Sequence, residues 1–349
     1  MDEREEKVVS PTLEEVARLA SVSRSTVSRV INDHPNVRAE TRERVWKAIR
    51  QSGYQPNVVA RSLVTNRTQI ISVIIPESVT TLFTDPFFSL LLRGTTETCN
   101  AHQYHLMLSL FTAKADRHEM YQRVLHSGYL DGAVVASTTL DDPLIPDLLH
   151  DHVPFVSIGR YPDDRVHYVD VDNVGGARMA VEHLIRLGHR RIATIAGPLS
   201  MTSGQDRLNG YQQALEARRI PIDDALIVEG DYTEPSGGVA VHQLLPAEPT
   251  AIFAASDIMA IGVLKALREA GLRVPQDISL VGFDDIPTAS AVEPALTTVR
   301  QPIERIGSVA VEVLLSVLED TPSENPTTHR LVLPTELVIR ASCSAVSNG

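Results

Sequence analysis

From Ile70 onward the chain repeats one pattern, a short apolar run rich in β-branched residues followed by an amphipathic helix. The runs fall at 70–75, 105–110, 132–136, 154–158, 192–196, 251–254 and 278–282, and helical spacing fills 87–100, 175–187, 206–218, 257–270 and 304–318. Runs without polar alternation suit strands covered on both faces. Strands that alternate with helices call for parallel neighbours and right-handed crossovers. The repeat occupies roughly 270 residues, too many for one such unit, so two lobes are expected. Residues 168–173 sit midway and are the expected crossing. The reading places lobe one at about 69–170 plus 299–330, lobe two at about 171–298 plus 331–341, and a tail at 342–349.

Ahead of this body lies a different kind of sequence. Leu13, Val16, Ala17 and Ala20 recur at helical spacing, Ser21-Val22-Ser23 makes a turn, and Ser23 suits the N-cap of a second helix. Val27, Val30 and Ile31 would pack that helix back on the first, leaving Arg24, Ser25, Ser28 and Arg29 as donors on its other face. This is the pattern of a helix-turn-helix, whose second helix lies in a DNA major groove. A third helix from Thr41 to Ser52 stops at Gly53, with Val45, Trp46 and Ile49 on its apolar face. Leu19, Val27, Val30, Val45 and Ile49 are the expected core of a head over 11–54, and residues 1–10 read as a loose tail. Residues 55–68 hold a valine-rich stretch of barely two turns that Asn57 can cap. So short a helix is marginal in water unless it folds against something.

Net charge is −12, which taken as an average opposes DNA binding. From Pro11 to Arg67, however, ten basic residues face five acidic ones, leaving +5 there and −17 elsewhere. A basic head on an acidic body suits contact with phosphates at one end only. No apolar run approaches the roughly 18 residues of a membrane span, and the charged start is unlike a signal peptide. Cys99 and Cys343 make no disulfide framework and suit a reducing cytoplasm.

Enzyme signatures are missing. Asp172-Asn173-Val174-Gly175-Gly176-Ala177 lacks dinucleotide spacing, and Asp172 or Asn173 reads better as a helix cap. The stretch Gly197 to Gly204 has no lysine for a P-loop, and no G-x-S-x-G occurs. His102 and His105 form H-x-x-H without the glutamate a metalloprotease needs, so neither a metal nor a cofactor is expected.

Taken in order, these residues resemble the LacI/GalR family of bacterial transcription regulators. The head resembles the family's Thr-Leu-x-x-Val-Ala…Val-Ser-x-x-Thr-Val-Ser-Arg-Val-Asn pattern, with Ser21 where the family usually has glycine. Gly-Tyr-x-Pro-Asn-x-x-Ala-x-x-Leu follows at 53–63. In the body the matching motifs include Asp85-Pro86-Phe87-Phe88, Val169-Asp170-Val171-Asp172-Asn173, Arg207-x-x-Gly210-Tyr211, Ser256-Asp257-x-x-Ala260-x-Gly262, Val281-Gly282-Phe283-Asp284-Asp285 and Leu296-Thr297-Thr298-Val299-Arg300-Gln301-Pro302.

The resemblance implies an all-α helix-turn-helix head followed by an α/β body of two doubly wound parallel sheets, similar to periplasmic binding proteins. It also implies a repressor, binding double-stranded operator DNA, with affinity modulated by a small molecule held between the lobes. Arg24, Ser25 and Arg29 fall at its base-reading positions, and arginine suits the O6 and N7 atoms of guanine. Ser23, Thr26, Ser28 and Asn32 are better placed for phosphates, which set register. Asn57, Ala60, Arg61 and Leu63 belong to a minor-groove hinge, with Leu63 the expected wedge between base steps.

Arg207 and Asp284 fall at the family's ligand-contacting positions, and the pair offers a sugar both donors and acceptors. The same two residues would also serve as a structural ion pair. Phe87, Phe88 and Tyr232 offer flat faces to a pyranose, although core packing competes for the two phenylalanines; Ser203 and Ser256 are further polar candidates. Purine-responsive relatives carry arginine where Met201 stands, so a neutral sugar is the expected effector, with a purine or a sugar phosphate as the alternatives. Family members with an appended leucine-repeat helix form tetramers; without one here, a cytoplasmic homodimer is expected. The rival class is an exported solute-binding protein with no role on DNA.

Overall fold

In a computed structural model the described residues are 11–31, 34–54, 67–110, 121, 129–320 and 327–346. They divide into two compact units, 1–68 and 69–349, taken here one at a time.

The head has three helices, α1 (Leu13–Ala20), α2 (Arg24–Ile31) and α3 (Ala39–Ser52). The Thr12 hydroxyl caps α1 by accepting the Glu15 amide, and the Ser23 hydroxyl caps α2 by accepting the Thr26 amide at 3.1 Å. Between them Ser21 takes the left-handed conformation, φ 54°, at the position where glycine would sit without strain. Gly53 ends α3 with φ 69°. The core is Val16, Ala17, Ala20, Val27, Val30, Val45, Ala48 and Ile49. Leu19, an expected core member, is outside it at 48% exposed, and Trp46, expected on the apolar face of α3, is 37% exposed. At about 100° per residue each lies roughly 110° from the centre of its helix's buried face.

The body's strands run β1 (Ile70–Ile75), β2 (His105–Leu110), β3 (Gly132–Ala136), β4 (Phe155–Ile158), β5 (His167–Val171) and β6 (Ile192–Ala196). They continue as β7 (Ile227–Glu229), β8 (Ala251–Ala254), β9 (Ser279–Asp284), β10 (Thr297–Arg300), β11 (Arg330–Leu333) and β12 (Glu336–Val338). Its helices are α4 (Val79–Thr84), α5 (Pro86–Ala101), α6 (Leu144–His150), α7 (Asn173–Arg186) and α8 (Thr202–Ala217). After these come α9 (Glu234–Leu244), α10 (Asp257–Glu269), α11 (Pro287–Ala291) and α12 (Ile303–Glu319).

The strands form two six-stranded sheets, in the orders β11-β5-β4-β3-β1-β2 and β12-β10-β9-β8-β6-β7. Every pairing is parallel except β10 with β12, an antiparallel edge of the kind common in large parallel sheets. Strands β3, β6, β8 and β9 are buried along their whole length, because helices cover both faces.

The chain passes between sheets after β5, after β10 and between β11 and β12. The lobe bounds therefore differ from the sequence reading. Thr297–Arg300 lies wholly in the second sheet, so 299–300 leave lobe one. The stretch 331–340 is not one strand: β11 completes the first sheet, and after Pro334 and Thr335 the chain enters the second as β12. Proline has no amide hydrogen for a ladder, which ends β11 there.

Candidate nucleic-acid interface and ligand cavity

On α2 the polar face is turned to solvent. Arg24, Ser25 and Arg29 are exposed, while Thr26 and Ser28 are half-buried at the flanks. The Ser23 hydroxyl lies 2.8 Å from both the Ser25 and Thr26 hydroxyls, a cluster of donors at the start of the helix. Arg24 reaches back to Glu14 on α1 at 3.0 Å, and both side chains stay largely in water. Asn32 and the hinge residues Asn57, Ala60, Arg61 and Leu63 lie outside the described residues.

In the body, a cavity of about 360 Å³ opens between the two sheets, and its walls come from the carboxyl ends of their strands. This is where open α/β sheets gather ligands. All seven residues expected to meet an effector line it: Phe87, Phe88, Ser203, Arg207, Tyr232, Ser256 and Asp284. Phe87 and Phe88, at the start of α5, meet edge to face with ring centres 5.4 Å apart. Phe88 is packed into the core as well, with 4% of its surface exposed.

Arg207 rises from α8 into the floor. Its Nε donates to the Asn173 side-chain oxygen at 2.9 Å and its Nη1 to the Ala255 carbonyl, with the Asp284 carboxylate 3.5 Å from Nη1. The guanidinium stacks over the Phe283 ring at 3.8 Å and near Tyr232 at 5.7 Å. Ser203 and Tyr232 share a hydroxyl contact of 3.1 Å. Gly197 makes room for that tyrosine, since a Cβ there would sit 2.1 Å from its hydroxyl. Ser256 caps α10 by accepting the Met259 amide.

Three non-glycine cavity residues are held in the left-handed half of backbone space, Ser137 at φ 61°, Tyr232 at φ 62° and Asp284 at φ 116°, as is the neighbouring Asp285 at φ 56°. Such positions cost free energy and gather where side chains must be aimed. Asp285 is clamped by Arg300 and Arg340, each at 2.6 Å.

Burial pushes the Asp284 carboxyl up to about 7, with Arg207 opposing the rise and Asp85 adding to it. Burial likewise lifts Asp85 to about 6, against the Phe87 amide that donates to it and with help from Glu77. Asp257, buried behind Asp284, is held well above the carboxylate range by desolvation and by that neighbour. Across the mouth, Arg160 from the first lobe grips both oxygens of Asp206 on α8 at 2.7 and 2.8 Å. The Thr202 hydroxyl donates to the Arg160 carbonyl and the Leu140 amide to that of Ser200.

Sequence reasoning missed Asp85, Arg160, Asp170 and Gln301 as cavity residues. Asp85 and Asp170 stood inside quoted motifs, but their evident task there was local: Asp85 caps α5, and Asp170 accepts from the Val171 amide and Asn173. Of the two residues read as a cap for α7, Asp172 does the capping, and Asn173 instead holds Arg207.

A solvated donor face on a helix pair and a polar cavity between two lobes, carried by one chain, define a class: regulators that hold DNA with one unit and sense a small molecule with the other. The family model for bacterial regulatory proteins of the lacI family matches residues 12–57, and that for a periplasmic binding protein-like domain matches 181–343. The HTH-type transcriptional regulator CelR of Thermobifida fusca is 42% identical over 337 residues, covering 95% of this chain and 98% of its own. A solved complex of the regulator CelR with cellobiose aligns at TM-score 0.75 and 39% identity over 95% of this chain and 99% of that one. The lac repressor dimer bound to operator and the anti-inducer ONPF aligns at TM-score 0.83 and 30% identity, over 97% and 100%. The chain belongs to the LacI family of bacterial regulatory proteins. It is a DNA-binding transcriptional regulator, not an enzyme.

Proposed function

We propose that the protein is a cytoplasmic repressor that grips a near-palindromic operator as a homodimer and is tuned by a neutral sugar. Arg24, Ser25 and Arg29 read base edges, and Ser23, Thr26, Ser28 and Asn32 hold phosphates. The hinge residues Asn57, Ala60, Arg61 and Leu63 enter the minor groove. The observation that carries the sugar reading is the Arg207–Asp284 pair set beside the flat faces of Phe87 and Tyr232 in one cavity. Hydroxyl groups both donate and accept, so a guanidinium next to a carboxylate meets them in either sense, and aromatic faces cover the ring's CH groups. The likeness to a CelR–cellobiose complex supports a short glucoside as the first ligand to try. Among the described residues no helix is long and apolar enough to cross a membrane. The sugar changes operator affinity only by its unequal affinity for the closure states of the lobes.

Selection from a random duplex pool supplies the operator. Retardation of that duplex at fixed salt, with and without cellobiose, tests the whole reading, and Arg29→Ala tests the reading helix. That variant should lose about 1–3 kcal/mol of operator affinity while keeping its response to the sugar. Unaltered affinity in Arg29→Ala would remove it from the reading face. A duplex held equally tightly across a panel of neutral sugars would remove the effector.

A further inference from the structure

Resting on the sugar reading, we propose that the cavity selects its ligand by charge, accepting neutral and amine-bearing glycosides and rejecting phosphorylated or carboxylated ones, with Asp85 as the discriminating residue. Among the described residues, five acidic side chains line the cavity against two arginines, and no lysine or histidine does. Neither arginine is a free cation. Arg160 is held by both oxygens of Asp206, and Arg207 is committed through Nε and Nη1 with Asp284 beside it. An anion entering here would give up its water and meet an excess of carboxylates with no unneutralised charge to receive it.

Asp85 and Asp284 face this space from opposite lobes. One Asp85 oxygen accepts the Phe87 amide and one Asp284 oxygen accepts Gln301. The second Asp85 oxygen has no protein donor among the described residues, whereas the Asp284 carboxylate also takes the backbone amide of Asp257. An acceptor so placed takes a hydroxyl or an ammonium hydrogen and repels an oxyanion. Asp284 has Arg207 to offset its charge, whereas Asp85 has only the backbone amide of Phe87, so Asp85 carries the discrimination.

Calorimetric titration of the full-length protein with three β-1,4-linked disaccharides tests this, the Asp85 variant separating charge from the opened ring of the acidic one. Cellobiose is neutral, the fully deacetylated chitosan dimer carries ammonium groups, and cellobionate carries a carboxylate. Cellobionate should bind about a hundredfold more weakly than cellobiose, and the chitosan dimer at least as tightly as cellobiose. Asp85→Asn keeps an oxygen for the Phe87 amide, so the fold should persist, and the readout is the ratio of cellobiose to cellobionate affinity, into which a common loss of binding does not enter. In that variant the gap between cellobiose and cellobionate should close about tenfold, and the chitosan dimer should weaken by about as much. Equal affinity for cellobiose and cellobionate overturns the charge filter while leaving a sugar site standing. An unchanged gap in Asp85→Asn overturns the assignment to Asp85. Failure of all three sugars overturns the sugar reading together with this inference.

Discussion

The protein uses the same pair, an arginine and a carboxylate, in two opposite ways. In the head, Arg24 and Glu14 meet at 3.0 Å with side chains 71% and 62% exposed. In the body, Arg207 and Asp284 meet at 3.5 Å with side chains 7% and 9% exposed. Water screens the first pair and replaces either partner at little cost, so the arginine can change partners. The second pair has been taken out of water and is held by further bonds from Asn173, Ala255 and Gln301. It keeps its partners, and a ligand can only be added to it. The contrast separates an arm that must change partners from a floor that must hold still.

The harshest way to break this contrast is to remove Arg207. Arg207→Met leaves Asp284 buried without its cation and should cost about 3–5 kcal/mol in urea unfolding of the body. Sugar binding should vanish, while operator binding persists, because the head is a compact unit with its own core. Arg207→Lys keeps the charge but not the planar fork that bonds Asn173 and Ala255 together. It should remain folded and still lose most sugar affinity. A loss under about 1 kcal/mol in Arg207→Met would put the buried pair in the same class as the exposed one.

The same contrast explains what could be read before any coordinates. That Arg24 and Arg29 share the exposed face of α2, and that Arg207 and Asp284 meet in one cavity, was legible, because each stands in a long motif. The strand–helix alternation was legible as well, since strands covered on both faces are nearly unbroken apolar runs. Strand β10 was not, because Thr297-Thr298-Val299-Arg300 is half polar and its threonines are buried only by long-range partners such as Asp257 and Ser342. Leu19 and Trp46 misled because apolar character fixes a preference for burial, whereas the angular position on the helix decides which side chains obtain it. Asp85 escaped notice because nothing in its local sequence sets it apart; its place in the cavity depends on the opposite lobe, far along the chain.

A titration sharpens the comparison next. In the folded body Asp85 holds its proton up to about 6, whereas an unfolded aspartate loses it near 3.8. The folded state therefore binds more protons between those values. The stabilisation is fully present below the unfolded value and is lost as pH rises through about 6. At 1.36 kcal/mol per unit, the Asp85 contribution amounts to about 3 kcal/mol. Asp284, raised to about 7, acts in the same direction, while His183 and His189, lowered by burial, oppose it below their ordinary value. The informative quantity is thus wild type minus Asp85→Asn, from pH 4.5 to 7.5 in urea. Relative to the variant, the wild type should lose stability as pH rises, and parallel profiles would show that Asp85 does not titrate in a buried setting. No comparable difference is expected between wild type and Arg29→Ala, since that side chain is in water in both states.

The smallest expected effect tests the exposed partner. Glu14 lies in the first turn of α1, where its charge also suits the helix dipole, and its removal costs the head no more than about 0.5 kcal/mol. If α2 reads DNA as proposed, the balance changes sign: Glu14 would compete for Arg24, and its own charge would lie close to the DNA that Arg24 would contact. Glu14→Gln should therefore tighten operator binding a few-fold, on the order of 1 kcal/mol, with the gain shrinking as salt is raised because the competition is screened. A weaker operator complex in Glu14→Gln would mean that the carboxylate aims Arg24 rather than withholding it. The exposed pair would then be a positioning device like the buried one.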